Sequence, residues 1–203
     1  MKTYPSIDHK PQYGSHIYAF DKLDGSNIRA EWSRKKGFWK FGRRNGLLDH
    51  SNTVLLDSLD LIRAAEDGLA KVFTDQRWQA AVAFFEFHGP GSFAGNHVED
   101  EPHQCTLIDV AADKRGILEP RQFLKLFSEN NHAALLYQGT FNQTFEAQVR
   151  EGALEGVTAE GVVCKGAYVS PGCPLMFKVK TKAWLDRLRK HCGDNQRLFE
   201  SLR

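Results

Sequence analysis

Along residues 16–22, 26–33 and 38–43, apolar and polar positions alternate, or β-branched and aromatic residues gather, at the period of two that half-buried strands require. Turn residues separate the three stretches at Asp24-Gly25 and Lys35-Lys36-Gly37, so the pattern predicts an antiparallel meander. The period then changes. Leu55, Leu59, Ile62, Leu69 and Val72 fall on one helical stripe and predict a helix over 54–72. "AAVAFFEF" (80–87) and "QCTLIDVAA" (104–112) read as buried strands. Pro120 suits the first position of a helix running to about residue 129, and a second amphipathic stretch spans 142–151. "AEGVVCKG" (159–166) and "LMFKVKTK" (175–182) predict two more strands, joined by the turn-rich "AYVSPGCP". A helix carrying Trp184, Leu185 and Leu188 follows and ends near Gly193. Antiparallel strands with intervening helices indicate an α+β domain. There is no internal repeat and no low-complexity linker.

Composition narrows this only a little. Of 203 residues, 41% are hydrophobic, enough for a core and against wholesale disorder. "MKTYPSIDHKPQ" has no apolar segment of a secretory leader, and no apolar run approaches the ~20 residues that span a bilayer. Cys105, Cys164, Cys173 and Cys192 are scattered without metal spacing, which reads as reduced thiols in a cytoplasmic protein with no membrane association.

Charge distribution changes the picture more. The net charge is only +2, yet residues 29–44 hold Arg29, Arg34, Lys35, Lys36, Lys40, Arg43 and Arg44 against Glu31 alone. A second block, from 178 to the end, holds Lys178, Lys180, Lys182, Arg187, Arg189, Lys190, Arg197 and Arg203 against Asp186, Asp194 and Glu200. Such blocks are either solvated faces or a local site for phosphates or a nucleic acid strand.

Lys22 ends the first strand, between Asp21 and Leu23-Asp24-Gly25. It is either a solvated strand end or a nucleophile. Downstream lie Phe84-Phe85-Glu86-Phe87-His88-Gly89, then Glu160-Gly161-Val162-Val163-Cys164-Lys165, then Phe177-Lys178-Val179-Lys180. In this order the segments resemble the collinear motifs of the covalent nucleotidyltransferases: ATP-dependent DNA and RNA ligases and mRNA capping guanylyltransferases. "KLDGSN", with Asn27 after a small hydroxyl residue, looks most like the RNA ligases of the phage and RNA-editing type. The resemblance covers roughly residues 16 to 182. It implies an ATP-grasp-like adenylation domain of antiparallel sheets with flanking helices over 1–182, and a short helical tail over 183–203.

The chemistry asks for these residue types. A lysine that attacks a phosphorus must first lose its proton, and with a pKa near ~10.4 under about one free lysine in a thousand is neutral at pH 7. Lys178 and Lys180 alternate with Val179, so a strand projects both onto one face, where they are placed to depress the Lys22 pKa and hold an α-phosphate. What remains is implied by the resemblance: Lys22 is the nucleophile, Glu86 binds a ribose hydroxyl, and Glu160 holds Mg²⁺ or Mn²⁺ or its water. Lys165 contacts phosphate, and Val162 packs on the purine. Asn27 and Arg29 meet the outgoing pyrophosphate or the acceptor end, and Arg43 or Arg44 fills a family arginine slot. Asp21 lies near the adenine amino group, which favours ATP over GTP. Each residue also has a plainer reading as strand face, turn or rim.

The sequence departs from the family in two places. Where relatives stack an aromatic ring on the purine, "CTLIDV" offers Leu107 or Ile108, leaving Phe93 and Tyr168 as substitutes. Only 21 residues follow Lys182, so no oligonucleotide-binding barrel is expected, and a protein partner replacing it is left open. His88, His97 and His103, with Glu99, Asp100 and Glu101, fit a polar loop at the substrate entrance better than a metal site. The expected function is an RNA ligase that uses ATP and Mg²⁺ or Mn²⁺ to join 5′-phosphate and 3′-hydroxyl ends. The alternatives are a non-catalytic nucleic-acid-end binder, a DNA ligase or a capping guanylyltransferase.

Overall fold

The structure is a computed structural model that describes residues 2–7, 9–48, 53–92 and 101–203. In chain order its elements are β1 (His16–Asp21), β2 (Ser26–Ser33), β3 (Gly37–Arg43), β4 (Gly46–Leu47), α1 (Thr53–Ala64), α2 (Glu66–Asp75), β5 (Ala80–His88), β6 (Gln104–Ala112) and β7 (Gly116–Ile117). They continue with α3 (Pro120–Phe127), β8 (Leu135–Thr140), α4 (Gln143–Arg150), β9 (Gly161–Ser170), β10 (Cys173–Lys180), α5 (Lys182–Cys192) and α6 (Gln196–Leu202). The strands form two antiparallel sheets, one ordered β10-β9-β1-β8 and the other β4-β3-β2-β5-β6-β7. This is the α+β architecture of antiparallel sheets with flanking helices that the sequence implies.

The predicted meander is only half present. β2 and β3 form a hairpin, but β1 pairs with β8 and β9 in the other sheet. The reason lies in the faces of β1. Ile17 and Ala19 enter one core and Phe20 enters another, so this strand is a central one. The chain therefore crosses between sheets at residues 22–25. Gly25 serves close approach there: a Cβ at that position would lie 2.2 Å from the Phe87 carbonyl oxygen.

The helix predicted over 54–72 breaks at Ala65, after which the Glu66 carboxylate accepts the Phe38 backbone N–H at 2.8 Å. "AYVSPGCP" is mostly strand, since β9 runs to Ser170 and β10 begins at Cys173. β4, β7, β8 and α6 have no counterpart in the sequence pattern. β8 is largely exposed and lacks an apolar stripe to reveal it.

Packing makes each sheet two-faced. The six-stranded sheet buries Ile28, Ala30, Trp32 and Phe85 against α1–α3, with Phe73 ringed by Trp32, Phe38, Trp78 and Phe127. Each such fully buried Phe contributes on the order of 2–3 kcal/mol. The four-stranded sheet buries Ile17, Ala19, Val162, Cys164, Phe177 and Val179 against Phe145 and Val149 of α4. By strand alternation its other face carries Phe20, Val163, Lys165, Lys178 and Lys180. α5 and α6 hold a small core of Trp184, Leu188, Cys192 and Phe199. The cysteines are all free, and no helix among the described residues is long and apolar enough to cross a membrane.

Candidate active site

The crossing at 22–25 continues the alternation of β1, so Lys22 emerges on the same side as Phe20. Its backbone N–H donates to the Gly161 carbonyl at 2.9 Å, fixing the end of β1 to the start of β9. Gly161 has φ +138°, and a Cβ there would lie 2.1 Å from the Val179 carbonyl oxygen, so only glycine fits between the strands. That placement brings Glu160 over the strand ends. Its carboxylate bridges two ammonium groups: Oε2 lies 2.7 Å from Lys22 Nζ, and Oε1 lies 2.7 Å from Lys180 Nζ. Lys180 is further held by the Leu202 carbonyl at 3.0 Å and lies 3.7 Å from the Trp184 ring centroid. Lys178 donates to the Arg203 main-chain oxygen at 3.3 Å.

This arrangement overturns one expectation. Lys178 and Lys180 do not hold Lys22 neutral. Burial alone lowers the Lys22 pKa, but Glu160, Glu86 and Asp24 outweigh it and leave the pKa raised. Glu160 stands between Lys22 and Lys180 and cancels the repulsion that would expel a proton. The crowding of positive charge falls on Lys178 instead, whose pKa drops to about 8 through burial, Lys180, Lys22 and Arg44. Lys180 is lowered as well, chiefly by burial.

Burial, reinforced by Glu160 and Asp24, pushes the Glu86 carboxyl up to about 7 against the pull of Lys22. An acid with a raised folded-state pKa binds its proton more tightly in the native chain. Its contribution is full below the unfolded value near 4.5 and is lost as pH rises through about 7. Glu86→Gln should therefore flatten the fall in stability between pH 5 and 8 by up to about 3 kcal/mol, measured by urea unfolding across that range.

A cleft of about 650 Å³ opens between the sheets over these groups. That is ample for a nucleotide-sized ligand. Phe20, Ile108, Ala133 and Val163 line an apolar portion, and Lys22, Asn27, Glu86, Glu160, Lys178 and Lys180 line a polar one. Asn27 lies opposite Glu86 across β2 and β5 and donates to the Phe85 carbonyl at 3.3 Å. Its buried Oδ1 has no hydrogen-bond partner among the described residues, an acceptor left over for a ligand. Arg43 and Arg44 both line the rim.

Of four other residues that the resemblance names, Val162 and Arg29 lie outside the cleft lining, whereas Lys165 and Asp21 border it but are engaged by protein groups. Val162 is fully buried in the core beneath α4, because alternation turns Val163 to the cleft. Lys165 is 2% exposed and donates to Asp109 Oδ2 at 2.8 Å and to the Ile108 carbonyl at 2.7 Å, clamping one sheet to the other. Arg29 points away from the cleft lining and donates to the Lys2 and Gly46 carbonyls. Asp21 accepts from both the backbone N–H (3.1 Å) and the hydroxyl (2.9 Å) of Thr158, and burial raises its pKa.

Of the purine-stacking candidates, Leu107 is in the core and Ile108 lines the cleft. Tyr168 donates from its hydroxyl to the Ile117 carbonyl, away from the lining, and Phe93 lies outside the described residues. His88 and His103 border the cleft, the first with its Nε2 2.9 Å from Thr106 Oγ1 and the second with its Nε2 2.8 Å from the Pro90 carbonyl. His97, Glu99 and Asp100 lie outside the described residues. Among the described residues no three carboxylate, imidazole or thiolate groups converge as a metal cage.

No family model and no curated protein matches the sequence. Solved structures do. A Naegleria gruberi RNA ligase variant with ATP and Mn is 20% identical, with TM-score 0.59 over 86% of this chain and 52% of that one. The same ligase with pyrophosphate gives 19% identity and TM-score 0.60 over 88% and 53%. A variant with AMP and Mn gives 18% and 0.61 over 91% and 59%. The fold is similar to that of these RNA ligases. The chain spans between half and three fifths of the length of these ligases.

Within this RNA-ligase fold, several residues at the site carried no notice from the sequence motifs. Asp109 is buried in the middle of β6, where it receives Lys165 and the Tyr4 hydroxyl. An acid inside "TLIDVAA" is itself a signal, since a buried carboxylate requires partners. Thr158 and Trp184 gave no comparable signal. Each matters only because the fold brings it to Asp21 or to Lys180.

Proposed function

We propose that the protein is an ATP-dependent polynucleotide ligase acting on RNA through a covalent lysyl-AMP intermediate. The observation that carries this reading is the Lys22–Glu160–Lys180 bridge at the mouth of a nucleotide-sized cleft, on the fold of RNA ligases. The ammonium of Lys22 gives up a proton, for which Glu160 Oε2 at 2.7 Å is the nearest acceptor. The amine nitrogen then attacks the α-phosphorus of ATP; a P–N bond forms, and the P–O bond to pyrophosphate breaks. Lys178 and Lys180 offset negative charge on the phosphoryl oxygens as it develops. A 5′-phosphate oxygen next takes AMP from Lys22, and a 3′-hydroxyl displaces AMP to close the strand. Glu86 and the free acceptor of Asn27 are placed to bind ribose hydroxyls, while Phe20, Ile108 and Val163 supply an apolar wall for the base.

A divalent ion fits this site as a companion of the phosphates. Such ions keep most of their water and need only one or two carboxylates, and Glu160, with Glu86 and Asp24 nearby, provides them. When bound, the ion would neutralise phosphate charge and compete with the Lys22 ammonium for Glu160. Incubation of the full chain with α-labelled ATP and Mn²⁺ or Mg²⁺ should give acid-labile label on the protein, discharged by pyrophosphate. The loaded protein should then seal 5′-phosphorylated RNA. Absence of label overturns the reading, and better sealing of DNA nicks or better labelling by GTP redirects it to DNA ligation or guanylyl transfer. The charged state of Lys22, and the occupation of Lys178 and Lys180 by main-chain oxygens of Arg203 and Leu202, favour a second reading as a non-catalytic end binder. Binding of RNA ends without label would support that one.

A further inference from the structure

Trp39 stands out on the molecular surface. It is 46% exposed, and it sits in β3 at a register shift in the pairing with β2, where Lys40 faces Glu31 and Phe38 faces Trp32. The extra residue of such a bulge is turned out of the ladder. Phe38, on one side of it in the chain, is buried in the core, so the sheet itself does not need the indole. Lys36 Nζ lies 4.4 Å from the ring centroid and Lys40 Nζ 5.7 Å. Arg34 and Lys35 extend the positive charge around the hairpin tip, and both are exposed. From Trp39, β3 leads to Arg43 and Arg44 at the rim of the cleft. Four steps along the strand lead from Trp39 to Arg43, a distance of about 13 Å.

We propose that Trp39, with Lys36 and Lys40, is a stacking platform for a base of single-stranded nucleic acid, and that the strand follows β3 to the cleft. An exposed large ring flanked by amines is what sequence-tolerant strand binding requires, since every base has a π-face and every nucleotide a phosphate. The two lysines are suited to both states of the site. They hold the indole by cation–π contact when it is empty and move to the neighbouring phosphates when a base takes the ring. The basic run over residues 29–44 thus acquires a direction: Arg34, Lys35, Lys36 and Lys40 around the platform, then Arg43 and Arg44 at the entrance. This deepens the proposed ligation, on which it rests for the nature of the strand.

The test is binding of a fluorescein-labelled 12-nucleotide single-stranded RNA to the full chain without ATP, followed by anisotropy over a range of salt. Trp39→Ala should weaken binding about tenfold or more, and Trp39→Phe should keep most of it. Lys36→Gln and Lys40→Gln should each lower the slope of log K against log salt by about 0.7. Heparin, a polyanion without bases, separates stacking from charge: its binding should fall in the lysine variants and stay unchanged in Trp39→Ala. Because Trp39 is outside the core, circular dichroism and the thermal midpoint should match wild type. Equal RNA affinity in Trp39→Ala, an equal loss of heparin binding, or no strand binding by the wild type overturns the proposal. Adenylate uptake by the wild type is scored separately. Its failure, with Trp39-dependent binding intact, removes the ligase reaction and leaves the platform standing.

Discussion

Lys22→Ala should take up no label from α-labelled ATP, a loss on the order of 10⁴-fold or more, the scale of deleting a covalent nucleophile. Lys22→Arg should fail equally, because guanidinium keeps its charge at every accessible pH and offers no free nitrogen lone pair. Neither variant should unfold. Glu160 retains Lys180 at 2.7 Å, so the carboxylate is not left alone when Lys22 is removed. The pH dependence carries further information. With its pKa raised by Glu160, Glu86 and Asp24, Lys22 is an ammonium at neutral pH, so uptake should climb as pH rises from 6 toward 8. Above that range the fall in Lys178 charge, with its pKa of about 8, should oppose further gain. Wild-type label on either variant, or uptake indifferent to pH, would remove Lys22 from the chemistry.

What the sequence revealed of this site, and what it hid, follows from which interactions are local. The pairing of Lys178 with Lys180 on one face was legible because strand alternation is a local rule, and the same rule places Val163 beside Lys165 on the cleft side. Motif position implies Val162, whereas parity puts it in the core. Asp24-Gly25 has the composition of a hairpin turn, yet the glycine answers to a carbonyl on β5, sixty-two residues away in the sequence. The charge state of Lys22 was hidden for the same reason. Glu160 is 138 residues distant along the chain, and it sits between the two lysines that were expected to repel one another. Long-range geometry decided the sign of that pKa. Local pattern decided the strands, the helix starting at Pro120 and the helix of Trp184.

Lys165→Ala should destabilise the fold by about 3–5 kcal/mol, because it leaves Asp109 as an unpaired charge in the interior. Both side chains of this pair are almost wholly buried, at 3% and 1% exposure. The ammonium also faces the rings of Phe20 at 4.6 Å and Phe123 at 5.5 Å, so its surroundings are largely apolar. Removing both charges should behave differently from removing one. Asp109 also accepts the Tyr4 hydroxyl, so Lys165→Met, Asp109→Leu and Tyr4→Phe combined should recover most of the lost stability in urea unfolding. The same experiment separates the two roles open to Lys165. A sheet-to-sheet clamp predicts a large loss of stability in Lys165→Ala and adenylate uptake by the repaired triple variant. A phosphate contact predicts the reverse: a stable Lys165→Ala and no uptake in either. The first outcome is expected, since an amine already bound to Asp109 and to the Ile108 carbonyl has only one hydrogen left to offer a nucleotide.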